Sequence, residues 1–298
     1  MRGLINSGFR CATNSVLQCL HATDELRAAL HGIGQNDARS NAASELKCIF
    51  INMDDKEQAA PYDPKSLVEV LSEYSGMWDE VKQDASDVLR CVLNALADDK
   101  DPVCKDAADL WAIPKRHSAA CSECKSENVS YDTAMDVNVY LSEKPKDLQD
   151  YVNGYSESFS VPDIYCDKCN ALTKLTVTTD ITELPKLLCF NVLRAQRSVE
   201  NGDGLIVKNN AVFNVSEELD CSRMSEDARV SKYELYGVIT HTGPCLFGHY
   251  AAFVKRMSQW YHVDDENVKM CSASALSCPD TLSSLYMLMY RQIDSPPS

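Results

Sequence analysis

Cys11 stands apart from the other cysteines of the chain, in the stretch "GLINSGFRCATNSVLQCL" over residues 3–20. Gly3 and Gly8 precede it, and Val16, Leu17 and Leu20 follow at helical spacing, so Cys11 falls at the start of a helix. A helix N-terminus favours negative charge and lowers a thiol pKa, which a cysteine nucleophile requires. Such a nucleophile also needs a base, usually histidine, and a third group to orient that base. Of the six histidines, His249 is the best placed, in "FGHYAAFVKRMSQWYHVDDENV". That segment reads as two strands joined by a turn. A turn centred between Arg256 and Met257 sets His249 directly opposite Asp264 on one face of the sheet. A shift of one residue brings Asp265 opposite instead, so a carboxylate faces His249 in either register. His241, in "VITHTGP", is the rival base. The plain alternative is an inert buried thiol at Cys11 and a structural histidine on a strand, and spacing alone leaves both readings open.

A second set of cysteines has metal-ligand spacing. "CSECKSENVSYDTAM" supplies Cys121 and Cys124, and "YCDKCNALTKL" supplies Cys166 and Cys169. Two C-x-x-C knuckles, each beside an expected strand, suit four thiolates around one structural zinc with no open coordination site. The competing reading is two unrelated reduced pairs or a single redox motif.

The elements that carry these residues change character along the chain. The first 110 or so residues read as helical. Asp24 is expected to cap a helix that stops at Gly32. "DPKSLVEVLSEY" places Asp63 as N-cap and Pro64 at the first helical position. In "QDASDVLRCVLNAL", Ala85, Val88, Leu89, Val92, Leu93 and Leu96 form one apolar stripe. From about residue 129 the period becomes two. "YDTAMDVNVYL", "LTKLTVTTDITEL", "LPKLLCFNVLR", "YELYGVITH", "HYAAFVK", "WYHVDD" and "SLYMLMYRQI" read as strands of a mostly antiparallel sheet. Helices first and strands later indicate an α+β fold. Residues 197–232 read as long polar loops around one short strand.

Composition bounds the function. Net charge is −15, which argues against phosphate-mediated nucleic-acid binding and suits a basic partner or peptide segment. No apolar run approaches the ~20 residues of a membrane span. The opening residues carry no secretory pattern, so a cytoplasmic or nuclear setting with reduced thiols is expected.

The motifs together resemble those of the ubiquitin-specific proteases. "GLINSGFRCATNSVLQCL" resembles their Cys box, "YELYGVITHTGPCLFGHYAAFVKRMSQWYHVDDENV" their His box and "QDASDVL" their Q-D-A-x-E-F-L segment. "LPKLLCFNVLR" and "LYMLMYR" look like their later palm strands, and the matches run in family order from residue 3 to 291. The resemblance implies Cys11 as nucleophile, His249 as general base, Asp264 as the residue orienting it and Asp265 as an auxiliary acid. Asn6 matches the side-chain donor to the oxyanion, and Asp84 the residue that contacts the basic tail of ubiquitin. The chain departs from the family at Phe9 and Arg10, where Asn-Thr is usual, at Ala12, at Lys82 and at Val88.

The implied fold is a papain-like cysteine protease with thumb, palm and zinc-ribbon fingers. One catalytic domain over residues 1–298 is expected: a helical thumb at 1–112, fingers at 119–182, and palm at 113–118 and 183–298. The implied activity is a thiol-dependent isopeptidase removing ubiquitin from conjugates, with structural zinc. The alternatives are the same chemistry on a ubiquitin-like modifier, or an inactive ubiquitin-binding scaffold. "YELYGVITHTGPCLFGHYAAFV" looks especially like the branch acting on the interferon-induced, two-lobed modifier. "AQRSVENGDG" and "HTGPCLFG" match two mobile loops that flank the channel for the ubiquitin tail.

Overall fold

The computed structural model describes residues 2–33, 41–55, 57–76, 83–141, 147–155, 157–197, 206–225, 231–245 and 247–293. Helices come first: α1 (Cys11–His21), α2 (Asp24–His31), α3 (Ala42–Asp54), α4 (Lys65–Ser75), α5 (Ala85–Ala97) and α6 (Pro102–Asp109). Strands β1 (Ile113–Cys121), β2 (Glu127–Ala134) and β3 (Val137–Tyr140) follow, then α7 (Leu148–Asn153), β4 (Glu157–Cys166), β5 (Ala171–Ile181) and β6 (Leu187–Leu193). The remainder is β7 (Ala195–Arg197), β8 (Ile206–Lys208), β9 (Glu218–Asp220), β10 (Lys232–Thr242), β11 (His249–Arg256), β12 (Gln259–Asp264), β13 (Asn267–Cys271), α8 (Pro279–Ser284) and β14 (Leu285–Gln292). No helix among the described residues is long and apolar enough to cross a membrane.

The strands form two main sheets. The larger runs β13-β12-β11-β10-β14-β6-β3, with β9 on β10, and only the β3–β6 pair is parallel. The smaller runs β2-β1-β5-β4 and is made of two hairpins.

Helix α1 lies between the other helices and the large sheet, so all of its residues are buried. A helix buried on every side must satisfy its polar residues internally. Asn14 donates to Asp265, Gln18 donates to the Arg2 carbonyl, and His21 lies 3.1 Å from Asp54. Asp54 also accepts from Arg27 on α2 at 2.6 Å and from Arg256 at the end of β11 at 3.1 Å. One carboxylate thus joins three helices to the sheet. Burial drives the His21 imidazole down to about 4. Burial opposes the charge of Asp54, but hydrogen bonds from His21, Arg27 and Arg256 outweigh it and hold that carboxyl below the usual range.

Helix α5 has the expected stripe, with Val88, Leu89, Val92, Leu93 and Leu96 fully buried. Other boundaries differ from expectation. Pro64, not Asp63, is the cap of α4; the Asp63 carboxylate instead accepts from the Lys65 N–H just inside it. Thr23, not Asp24, holds the N-cap position of α2, and its hydroxyl donates to the Cys19 carbonyl. "YDTAMDVNVYL" is not one strand. It breaks at Met135–Asp136 because the buried Asp136 carboxylate is held by Arg90 of α5, at 2.9 Å from Nη2. The residues before the break belong to the small sheet and those after it to the large one. Strand β1, from Ile113, belongs to the small sheet, and β3 joins the large sheet although it lies within 119–182.

Candidate active site

The segment ahead of α1 is folded by one side chain. Asn6 Oδ1 accepts from the N–H groups of Gly8 and Arg10, at 2.9 and 3.0 Å. Gly8 turns the chain at φ +126°, where an L side chain is strained. This places Cys11 at the first helical position, 7% exposed, where the unpaired N–H groups of the first turn converge. Arg10 Nη1 pairs with the Asp63 carboxylate at 2.7 Å.

His249 begins β11 and Asp264 ends β12. His249 Nε2 lies 2.6 Å from Asp264 Oδ1. The register behind this contact differs from the expected one. The turn centres one residue later, on Met257 and Ser258, both at positive φ (48° and 64°). Arg256 pairs with Gln259 and Ala252 with Val263, and continuing that count sets Ala251 across from Asp264. His249 is thus the diagonal neighbour of Asp264, two residues along. Side chains alternate with period two, so both still share a face and the longer diagonal is bridged by their reach. With Nε2 bonded to Asp264, Nδ1 is the ring nitrogen left for proton transfer.

Asp265 follows in the tight β12–β13 turn at φ 49°. Its Oδ2 lies 4.0 Å from His249 Nε2, yet its oxygens accept from Asn14 and Asn6, each at 2.8 Å. Its backbone carbonyl accepts from Leu4 N–H at 2.9 Å. Gly3 permits this approach, since a Cβ there would sit 2.2 Å from the Glu266 carbonyl oxygen. The N-terminal segment, the start of α1 and the acidic turn are therefore one unit. Asn6 Nδ2 carries a second N–H beyond the one given to Asp265.

Helix α1 packs on β11 and β12. Burial, then the charge of Asp84, pushes up the phenol of Tyr250, next to His249. His241 is a poor base. It is buried, its Nδ1 faces the Lys208 ammonium at 2.9 Å, and its ring packs on Tyr250 and Tyr286. Asp84 is the N-cap of α5, accepting from Ser86 N–H at 2.8 Å with one oxygen and from the Tyr286 hydroxyl with the other. Val88 is a core residue, so the departure there concerns packing. Lys82 lies outside the described residues, as do residues 198–204 and Leu246 of the two loops.

The four knuckle cysteines meet at the tips of the β1–β2 and β4–β5 hairpins, their sulfurs within 4.8 Å of one another. Cys121 and Cys169 sulfurs are 3.9 Å apart, and those of Cys124 and Cys166 are 3.6 Å apart. A tetrahedral zinc with Zn–S about 2.3 Å has sulfur–sulfur edges of about 3.8 Å. Lys125 and Asn170, at φ 57° and 50°, complete matching turns. Hydrogen bonds from the Thr173 hydroxyl and local N–H groups bring the Cys121 thiol down to about 6, and the Ser126 hydroxyl and N–H lower Cys124, whereas the hydrogen bond with Cys124 and then burial push Cys169 up to about 12. The four sulfurs are placed so that they could hold a metal ion.

A sequence model of the family described as ubiquitin carboxyl-terminal hydrolase matches residues 2–290. The chain belongs to that family. Within it, the chain is 27% identical over 327 residues to Ubiquitin carboxyl-terminal hydrolase 19 of Arabidopsis thaliana, covering 99% of this chain and 46% of that protein. It thus spans about half the length of that relative. It is 25% identical to Ubl carboxyl-terminal hydrolase 18 of Mus musculus, covering 93% of this chain and 80% of that one. A chain of the SAGA Ubp8/Sgf11/Sus1/Sgf73 DUB module bound to ubiquitin aldehyde superposes with TM-score 0.79 at 20% identity, over 99% of this chain and 70% of that one. The fold of this hydrolase-family chain is that of the thumb, palm and fingers proteases.

Sequence reasoning missed Asn14, Lys208 and the Asp54 hub. Asn14 sits inside the quoted Cys motif, and a polar residue on an otherwise apolar helix was the available signal. Asp54 and Lys208 had none.

Proposed function

We propose that this chain is a thiol-dependent isopeptidase that removes ubiquitin from protein conjugates. The 2.6 Å contact of His249 with Asp264, on strands packed against the helix that Cys11 begins, carries the reading. The Cys11 thiolate attacks the carbonyl carbon of the C-terminal glycine in the isopeptide bond. The oxyanion is received by N–H groups at the start of α1, with the second N–H of Asn6 as a further donor; one such donor is worth about 2.7–4 kcal/mol. His249 gives its Nδ1 proton to the leaving lysine amine, and the C–N bond breaks to leave a thioester. His249 then takes a proton from water, which attacks the thioester and releases the free carboxylate and Cys11. Asp264 holds the ring orientation and stabilises the imidazolium. Asp265 positions the turn that carries Asp264. The acidic chain favours a partner with a basic tail; Asp84, whose oxygens accept from Ser86 and Tyr286, would share one of them to meet that tail. Cys121, Cys124, Cys166 and Cys169 would hold a structural zinc that fixes the finger tips and takes no part in the reaction.

A second reading keeps the chemistry and changes the substrate to a ubiquitin-like modifier. The likeness to Ubl carboxyl-terminal hydrolase 18 over 80% of that protein favours it. C-terminal electrophile probes of ubiquitin and of related modifiers separate the readings. Labelling of Cys11 by the ubiquitin probe supports the first, and labelling only by another modifier supports the second. Binding without labelling by any probe identifies an inactive scaffold and ends both.

A further inference from the structure

Lys208 ends β8 and reaches across to β10. Its ammonium donates to three acceptors of one short segment: His241 Nδ1 at 2.9 Å, the His241 carbonyl at 2.5 Å and the Gly243 carbonyl at 3.0 Å. An ammonium has three N–H groups and no lone pair, so all three are used and His241 Nδ1 must accept. His241 is then the neutral tautomer with its proton on Nε2. The base of the β7–β8 hairpin is itself anchored, because Arg194, fully buried, donates to the carbonyls of Asn209, Ala211, Leu282 and Leu285.

The held segment runs straight to His249. Thr242 pairs with His249 across the β10–β11 hairpin, and His241 pairs with Tyr250. The His241 ring also fills the space beneath Gly248, where a Cβ would lie 2.0 Å from Nε2. Backbone and ring therefore both transmit the position of Lys208 to the residue before and the residue opposite His249.

We propose that Lys208 is a positioning residue for the reaction at Cys11: it fixes the His241–Gly243 segment, keeps His241 neutral, and thereby sets where His249 stands. This rests on the isopeptidase reading. It also ties β8, at the end of one expected channel loop, to the start of the other. Among the described residues, the groups that face His241 include Lys208 from β8, Tyr250 from β11 and Tyr286 from β14, with Asp84 behind Tyr286 and with Arg194 and Cys245 near Lys208. Lys208 is the cation in direct contact with the ring and opposes a second proton on His241.

Side-chain nitrogen NMR of the wild-type chain reads the tautomer without any substrate. The expected spectrum has His241 protonated at Nε2 only, with no titration across the usual imidazole range of about pH 5–8. In Lys208→Met, His241 gains a titration in that range. On a ubiquitin C-terminal amide, Lys208→Met loses about tenfold in kcat with KM within about threefold, and falls further on the acid side. Lys208→Arg, which keeps the cation, recovers most of kcat and the wild-type acid limb. A wild-type His241 protonated at Nδ1, or Lys208→Met with unchanged kcat and pH profile, overturns the proposal. A wild-type chain that turns over no substrate refutes the isopeptidase reading and the positioning role with it, while the wild-type spectrum still decides the tautomer; if Lys208→Met does not fold, the wild-type spectrum and Lys208→Arg decide.

Discussion

Asn14 Nδ2 donates to Asp265 Oδ1 at 2.8 Å, joining the helix that starts at Cys11 to the turn that follows Asp264. Asn6 donates to the other oxygen of the same carboxylate, also at 2.8 Å. Both oxygens of Asp265 are thus engaged in holding two chain segments together, whereas Asp264 spends its nearest contact on His249. The two neighbouring acids should fail differently. Asp265→Asn turns an acceptor into an amide facing amide donors and should cost about 1–3 kcal/mol of stability. Asp264→Asn, at a 43% exposed side chain, should leave stability within about 0.5 kcal/mol. Its kcat should fall about 10²–10⁴-fold through loss of imidazole orientation. Urea midpoints and kcat for both variants check this; equal stability losses would sink the division of labour.

Cys11→Ala should abolish labelling by C-terminal electrophile probes and reduce turnover by at least ~10³-fold. Binding of unmodified ubiquitin should persist, since only the sulfur is removed from a site otherwise intact. Calorimetric titration of the variant with ubiquitin, beside a turnover assay, makes the comparison. Residual turnover near the wild-type rate would place the nucleophile elsewhere.

Stability should decline on mild acidification. His21 has its pKa lowered by burial from 6.5 to about 4. In the unfolded chain His21 takes a proton as pH falls through 6.5; in the folded chain it resists until about 4. Stability is therefore full above the first value, falls between the two and levels below the second, a loss of about 3 kcal/mol. Asp54, held below the usual carboxylate range, yields only at lower pH. Burial also lowers His262, which acts in the same sense. Urea midpoints over this range should show the slope, and His21→Gln should remove most of it. An unchanged slope in that variant would refute the assignment.

Purified chain should carry one zinc, measurable by elemental mass spectrometry. Chelation, or Cys121→Ser, should remove binding free energy on the order of 10 kcal/mol from the fingers and lower the melting temperature. Zinc content unchanged in Cys121→Ser would exclude the four-cysteine site.

What could be read before any coordinates follows from how local each signal is. The α5 stripe and the strand alternation are contacts a few residues long, and both cysteine knuckles carry their spacing with them. The β11–β12 register was misplaced because Met257 and Ser258 make a turn at positive φ that usually calls for Asn-Gly. Parity rescued the His249–Asp264 pairing, since two compensating steps along a strand return to the same face. The break at Asp136 is invisible locally because its cause, Arg90, lies 46 residues earlier. Asp54 and Lys208 are legible only once distant helices and strands have met.

The acidic turn closes on the N-terminal segment, with Leu4 bonded to Asp265 and bridged to Tyr62. A ribosome therefore releases the thiol long before its partners exist. Until the codon for residue 265 has been read and its product has cleared the exit tunnel, a nascent chain has no shaped cleft around its sulfur. A chain terminated before residue 265 lacks the contacts that hold Leu4, Asn6 and Asn14 against the acidic turn.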